Sequence, residues 1–129
     1  MPIIKSAKYP VPKHWEELEE ICNSLYSEMY PGALVQRYAR NGQAQHGVDV
    51  YVRSKDGSEL IGIAVRNKEI ITTGEIEEEY QKTQSFTPKL TSFVMFTSAP
   101  RDAFLQTKAL ELSSNDSYQC TVVAWQDIS

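Results

Sequence analysis

The chain has 129 residues and a formal net charge of −4, with 41% hydrophobic and 23% charged residues. This length and composition predict one globular domain with a single core. The acidic balance argues against a strongly adhesive nucleic-acid binder, although a local basic patch is compatible with it because net charge averages over all faces. No apolar segment has the length of a membrane span and no signal-peptide core begins the chain, so we expect a cytoplasmic protein without a membrane partner.

The first 13 residues contain three prolines and are predicted to form an arm, followed by one domain over residues 14–129. A helix is expected from His14, and its predicted apolar stripe is Trp15, Leu18, Cys22, Leu25 and Met29. Glu19 lies beside this stripe, at its solvent edge or in a polar site, and spacing alone favours solvent. Cys22 and Cys120 show no metal-ligand spacing, which indicates two reduced thiols.

A first strand is predicted over residues 33–38, and a polar loop follows it up to Gly47. The loop carries side chains that can contact phosphate oxygens or bases, namely Arg40, Gln43, Gln45 and His46. Such residues usually belong to an ordinary polar hairpin connection. Arg37, in the strand before the loop, is a further candidate for phosphate contact.

The central stretch of the chain is a predicted hairpin that carries one carboxylate and one guanidinium. Asp49 interrupts the apolar run Val48–Val52, a turn follows at Lys55-Asp56-Gly57, and the return strand runs from Leu60 to Arg66. Strand alternation and this turn place Asp49 and Arg66 on one face. We therefore expect their side chains to converge on adjacent strands.

The rest of the chain alternates helices and strands. Thr72 and Glu75 form a predicted capping box, which opens a helix to about Phe86. Acids in its first turns (Glu75, Glu77, Glu78 and Glu79) suit the helix dipole and indicate stability rather than function. A buried strand at 92–96, a helix to about Ser113 and a last strand at 118–125, with no helix beyond, complete the order α-β-β-β-α-β-α-β. This order predicts an α/β fold with a central mixed sheet and helices on both faces.

These pieces, taken in order, resemble the PD-(D/E)XK restriction-endonuclease-like superfamily, close to its Mrr-like branch with a Gln-x-Lys half-motif. W-E-E-L-E-E-I-C resembles the first-helix pattern, and R-N-G-Q-A-Q-H-G-V-D-V resembles the loop-and-strand signature. F-T-P-K-L-T-S-F-V-M-F-T-S-A-P-R-D-A-F-L-Q resembles the downstream helix, strand and helix. The resemblance covers nearly the whole chain and implies a restriction-endonuclease-like core.

The resemblance implies a metal-dependent DNA endonuclease site. Asp49, Arg66 and Glu19 take the catalytic positions, and Asp49, Glu19 and the Val65 carbonyl are the expected ligands of Mg²⁺. The implied partner is double-stranded DNA with little sequence preference, contacted by Arg37, Arg40, Gln43, Gln45 and His46. Relatives often carry this domain within longer proteins, some in antiviral defence, so further domains or a homodimer are also expected partners.

The half-motif departs from the family. Where the family has Gln or an acid, an apolar residue and Lys, this chain has Ala64-Val65-Arg66. Ala64 supplies no metal ligand, and Arg66 keeps the positive charge without the deprotonation or the point-charge geometry of lysine. The favoured hypothesis is a disabled or weakened nuclease site, natural or engineered, in a domain that still binds DNA. The alternatives are an active nuclease whose lysine has migrated to Lys68 or Lys82, and a protein-interaction module on the same fold.

Overall fold

The computed structural model describes residues 11–38, 43–115 and 118–128. Within these ranges the chain forms a five-stranded sheet packed between helices. The elements are α1 (Trp15–Met29), β1 (Leu34–Arg37), β2 (Val50–Arg53), β3 (Leu60–Arg66), α2 (Thr73–Lys82) with a 3₁₀ turn after it (Thr83–Ser85), β4 (Ser92–Thr97), α3 (Ala103–Asn115), β5 (Gln119–Val123) and α4 (Trp125–Ile128).

The sheet is mixed, with its strands in chain order from β1 to β5. The β1–β2 and β2–β3 pairs are antiparallel, whereas the β3–β4 and β4–β5 pairs are parallel. Parallel neighbours need a crossover, and α2 and α3 lie in the two crossovers. The predicted α/β class, with a central mixed sheet flanked by helices, is confirmed.

Strand β3 is buried on both faces, which explains its continuous apolar run. Ile63 and Val65 pack in the core on the α1 side, together with Leu18 and Cys22. Ala64 belongs instead to the core on the side of α2 and α3. Because side chains alternate along a strand, Arg66 faces the same side as Ala64, toward α2.

Helix α1 buries a stripe that differs from the predicted one. Leu18, Glu19, Cys22 and Tyr26 are buried, whereas Trp15 and Met29 are about half exposed, at 49% and 51%. Tyr26 faces the sheet because its ring packs edge-on against Phe96, at a centroid distance of 6.2 Å. The predicted inward positions of Trp15 and Met29 were wrong, and so was the solvent position that spacing favoured for Glu19.

The predicted capping box at the start of α2 is confirmed, with the Thr72 hydroxyl accepting from the Glu75 amide at 3.1 Å. The predicted end of the chain was wrong. Strand β5 ends at Val123, and a short helix follows in which the Asp127 carboxylate accepts from the Ala124 amide at 3.0 Å. Ile128 then enters the core on the α1 side. Burial of Ile128 and capping by Asp127 thus stabilise a short helix that the apolar periodicity of the sequence did not indicate.

The described part of the predicted arm, Val11–Lys13, contacts the domain. Pro12 is buried, and its carbonyl accepts a hydrogen bond from the side-chain Nδ2 of Asn67 at 2.9 Å. Asn67 directly follows β3, so the end of the arm lies near the carboxyl end of the central strand. Among the described helices, none has the length and apolar composition needed to cross a membrane.

Candidate functional site

Asp49 is held by the backbone of two neighbouring strands. It directly precedes β2, where its amide donates to the Ile63 carbonyl and its own carbonyl accepts from the Tyr38 amide, both at 2.8 Å. Its carboxylate oxygen Oδ2 accepts from the Val65 amide, also at 2.8 Å. These bonds direct the carboxylate toward the carboxyl end of β3, where Arg66 is the last residue of the strand.

Arg66 makes contacts to three oxygen atoms in this place. Its Nη1 lies 2.7 Å from Asp49 Oδ2 and 2.8 Å from the Val65 carbonyl oxygen, and its Nη2 lies 2.8 Å from Glu79 Oε1. The predicted convergence of Asp49 and Arg66 is therefore confirmed. Burial by itself would lower the pKa of Arg66, but Asp49 and Glu79 together raise that pKa above its usual value. The guanidinium is thus a fixed positive charge between two carboxylates.

The expected Mg²⁺ does not fit the site with Arg66 in this conformation. Two of the expected ligands, Asp49 Oδ2 and the Val65 carbonyl, accept hydrogen bonds from Nη1 of Arg66. Mg²⁺ needs such oxygens itself, at about 2.1 Å and in a near-octahedral array. Ala64 is fully buried in an apolar cluster and offers no further ligand. In the part of the chain that the structure describes, no group of three or more His, Cys, Asp or Glu side chains is arranged to hold a metal ion.

Glu19 lies on α1, where it is paired with Arg37. Its Oε1 lies 2.6 Å from Arg37 Nε, and the residue is only 4% exposed. Burial raises the pKa of Glu19, the guanidinium of Arg37 opposes this, and the negative charges of Asp49 and Glu16 raise it further. The negative charge of Asp49 therefore acts on Glu19, whereas the roles of Glu19 as a catalytic residue and as a metal ligand stay predictions.

Glu79 is the functional candidate that the sequence analysis missed. It was assigned to the helix dipole with the other acids of α2, but only 12% of its side chain is exposed and it pairs with Arg66. Glu79 lies three residues after Ile76 and four before Thr83, and both of these are buried. That spacing places Glu79 on the inward face of α2 and would have separated it from the exposed acids.

The loop before β2 covers this site and forms a cleft of about 310 Å³ with it. Three predicted DNA-binding residues line the cleft (Gln43, Gln45 and His46), together with Gly47, Asp49, Arg66, Glu79 and Lys82. Gly47 has a φ of 76°, and a Cβ atom on it would lie 2.6 Å from the Glu79 carbonyl oxygen. Only glycine therefore lets the loop approach α2 this closely.

His46 is fixed by the 3₁₀ turn that follows α2. Its φ is 51°, in the left-handed region, and its Nδ1 lies 2.6 Å from the Ser85 hydroxyl. Because Ser85 donates its own hydrogen to the Lys82 carbonyl at 2.9 Å, its oxygen accepts from His46 Nδ1. The hydrogen on Nδ1 leaves Nε2 as an acceptor in the neutral ring.

The remaining cations predicted to act here differ in their positions. Arg37 contacts Glu19 and keeps half of its side chain exposed, and Arg40 lies outside the described residues. Lys82 lines the cleft, with its Nζ 3.3 Å from Glu79 Oε2. Lys68 lies near the start of α2, where its Nζ is 2.6 Å from Glu75 Oε2. Of the two lysines named as possible migrated groups, Lys82 is the one in the cleft with Asp49.

Comparisons of this chain with protein-family models, with curated proteins and with solved structures each gave no match.

Proposed function

We propose that this chain is a nucleic-acid-binding domain of the PD-(D/E)XK nuclease type in which Arg66 takes the place of the metal ion. The domain binds DNA without cleaving it at an appreciable rate. One observation carries this proposal, namely that the guanidinium donates to Asp49, to the Val65 carbonyl and to Glu79. These are oxygen acceptors of the kind that a divalent cation would need.

The charge of the arginine also supports a disabled site. An arginine that bridges two carboxylates keeps its proton at any accessible pH. It therefore supplies neither a general base nor a metal-activated water, which are the usual sources of nucleophile in phosphodiester hydrolysis. Loss of a single electrostatic group aimed at the transition state typically lowers the rate by about 10²–10³.

Nucleic-acid contact is proposed from two half-exposed cations, of which Lys82 lines the cleft, and from the polar groups of the loop. The Arg37 side chain is about half exposed at 51%, and the Lys82 side chain likewise. Gln43, Gln45 and His46 add polar groups along the loop. Because Asp49 and Glu79 neutralise Arg66, few cations remain for phosphates. We expect weak, non-specific duplex binding with a slope of log K against log salt of about −2, which corresponds to roughly two phosphate contacts.

The direct test is a DNA cleavage assay with Mg²⁺ or Mn²⁺, run beside variants that restore the family pattern. The unaltered chain should bind duplex DNA at low salt and leave it intact. The double variant A64Q/R66K should gain metal-dependent cleavage, and R66K alone should gain less, because it lacks the oxygen ligand at position 64. Since Ala64 is fully buried, the fold of each variant is checked by circular dichroism before the assay.

Two controls make the result specific. D49N added to A64Q/R66K should abolish the gained activity, which separates it from a contaminating nuclease. The double variant E19Q/R37Q removes a candidate phosphate contact without leaving the buried Glu19 unpaired, and it should weaken duplex binding severalfold. Duplex binding that is absent at 50 mM salt would contradict the nucleic-acid part of the proposal and favour a protein-interaction module.

The position of Lys82 supports one second candidate, an active nuclease with a migrated lysine. Lys82 lies in the same cleft as Asp49 and contacts Glu79. In that case the unaltered chain would cleave DNA as fast as A64Q/R66K, and K82A would remove the activity. The matched variant K68A should leave cleavage unchanged, since Lys68 contacts Glu75 at the other end of α2.

A further inference from the structure

A second concave surface lies beside the cleft, which we call the aromatic groove. Its volume is about 440 Å³, within the range that small-ligand sites usually have. The groove is lined by three aromatic residues (Tyr38, Tyr51 and Phe86), two cations (Arg53 and Lys89), two leucines (Leu34 and Leu60) and the segment Thr87–Pro88, with Gly57, Ser58 and Thr91 at its ends.

The aromatic rings form a connected group. The Tyr38 ring lies 4.8 Å from the Phe86 ring and 6.4 Å from the Tyr51 ring, between centroids. The Tyr51 hydroxyl donates to the Gln36 side chain at 2.6 Å, which fixes this ring in place. Tyr38 and Tyr51 are only partly buried, so both contribute surface to the groove.

The charge of the groove is positive, in contrast to the chain as a whole. Arg53 and Lys89 are exposed and make no ion pair within the described residues. No carboxylate is among the described residues that line the groove. The exposed Asp56 lies in the turn beside the groove and is not among its lining residues, and hydrogen bonds from Ser58 and Ser54 lower its pKa to about 2. An anionic ligand with a flat apolar part therefore matches this surface in both charge and shape.

The aromatic groove and the cleft are built from the same two segments. His46, which lines the cleft, contacts Ser85. Phe86, the residue after Ser85, lines the groove. On the other side, the backbone amide of Tyr38 donates to the Asp49 carbonyl. Tyr38 of the groove is therefore a direct neighbour of Asp49 of the cleft. The cleft and the groove are therefore neighbours along both segments.

We propose that the aromatic groove binds an unstacked base of a single-stranded nucleic acid, with a neighbouring phosphate contacted by Arg53 and Lys89. This inference deepens the proposed function and rests on it, because it names single-stranded nucleic acid as the preferred ligand next to the cleft. Aromatic side chains with adjacent cations are the usual means by which proteins bind single strands. A duplex keeps its bases stacked and cannot supply this contact.

The test measures binding by fluorescence anisotropy at 50 mM salt with three labelled probes of equal length. The probes are single-stranded oligo-dT, an abasic strand with the same phosphates, and duplex DNA. Oligo-dT should bind about tenfold more tightly than the abasic strand, as expected for stacking of one base on an aromatic ring. Equal binding of the two single strands would overturn the proposal, because phosphate attraction alone would then account for it.

Matched variants locate the binding. R53Q/K89Q should weaken oligo-dT binding by about tenfold at this salt concentration, which is the loss of one or two phosphate contacts. K13Q/K55Q removes the same charge from exposed residues outside the groove and should change binding less than twofold. Y51L removes the ring and should cost about tenfold, whereas Y51F keeps the ring, loses only its hydrogen bond to Gln36, and should lose less binding than Y51L.

The outcomes separate this inference from the proposed function. Loss of duplex binding in E19Q/R37Q with unchanged oligo-dT binding in R53Q/K89Q overturns the groove and leaves the proposed function standing. If duplex binding is absent while oligo-dT binding depends on Arg53, Lys89 and Tyr51, the groove stands and the duplex binding of the proposed function is overturned. Tighter binding of an acidic, tyrosine-containing peptide than of oligo-dT, lost in R53Q/K89Q, would show that the groove takes a protein segment and would overturn the proposal.

Discussion

At the scale of single residues, the site is defined by which charges share which partners. Arg66 pairs with both Asp49 and Glu79, and Arg37 pairs with Glu19. Buried ion pairs of this kind seldom add much stability over apolar residues, but removing one partner is costly because the other charge stays buried. Changing one partner of Arg66 or one partner of Arg37 should therefore change the stability of the protein measurably.

Arg66→Ala should lower the free energy of unfolding by about 2 kcal/mol, below the full cost of breaking a buried pair because the guanidinium is partly exposed at 27%. The reason is that Asp49 would lose its ion pair, whereas Glu79 would keep the more exposed Lys82 as a partner. Urea unfolding followed by tryptophan fluorescence measures this. Lys68→Ala is the matched control, since it removes a cation from the more exposed pair with Glu75 and should cost less than about 1 kcal/mol. Equal losses in the two variants would contradict the central position of Arg66.

Glu19→Gln should change how stability depends on pH. Burial raises the pKa of Glu19 above its ordinary value of 4.5, so the folded state holds the proton more tightly than the unfolded state. The resulting stabilisation is present below about pH 4.5 and is lost as the pH rises through the folded-state pKa. Glutamine does not titrate, so the variant does not lose stability as this carboxyl ionises. Its stability relative to the unaltered chain should therefore increase from pH 4 to pH 7. A difference that stays constant over this range would show that Glu19 has no raised pKa.

At the scale of elements, the site depends on close contact between the loop before β2 and helix α2. Gly47 permits this contact, and His46 and Ser85 hold it. Asp49 and Glu79 come from these two elements, so their distance is set by the contact rather than by the hairpin alone. A change that separates loop and helix should therefore disturb Arg66 without touching it.

Gly47→Ala should destabilise the protein by about 3 kcal/mol, since it combines a left-handed backbone with a clash against the Glu79 carbonyl. Gly57→Ala is a close control, because Gly57 has the same φ of 76° and its nearest neighbour would be Arg53 Nη2 at 3.6 Å. That variant should cost only about 1 kcal/mol, the conformational part. Similar losses in thermal unfolding experiments would indicate that loop and helix are not in contact at Gly47.

At the scale of the whole molecule, the sequence predicted those elements of the fold that local patterns of apolar and capping residues determine. The apolar run of β3, the turn at Lys55–Gly57 and the capping box at Thr72 are local patterns, and each formed as predicted. The pairing of Asp49 with Arg66 followed from alternation on adjacent strands. The family resemblance stays a prediction, since element order and sheet type alone are shared by many α/β proteins.

The features that sequence did not predict depend on contacts between distant segments. Glu79 was grouped with neighbouring acids, and its partner Arg66 comes from another element, so charge patterning along α2 could not identify it. Tyr26 replaced Met29 on the buried face because Phe96, far along the chain, provides its packing surface. The helix at 125–128 follows from the burial of Ile128, which no local period indicated.

The central claim is that the Arg66 guanidinium occupies the position of a divalent cation, and a Mn²⁺ titration by isothermal calorimetry tests it most directly. Removing the guanidinium in R66A frees Asp49, the Val65 carbonyl and Glu79, so this variant should bind Mn²⁺. The added change in D49N/R66A should abolish that binding. The unaltered chain should show no Asp49-dependent binding at millimolar Mn²⁺. Mn²⁺ binding by the unaltered chain with the same affinity as R66A, lost in D49N, would contradict the claim.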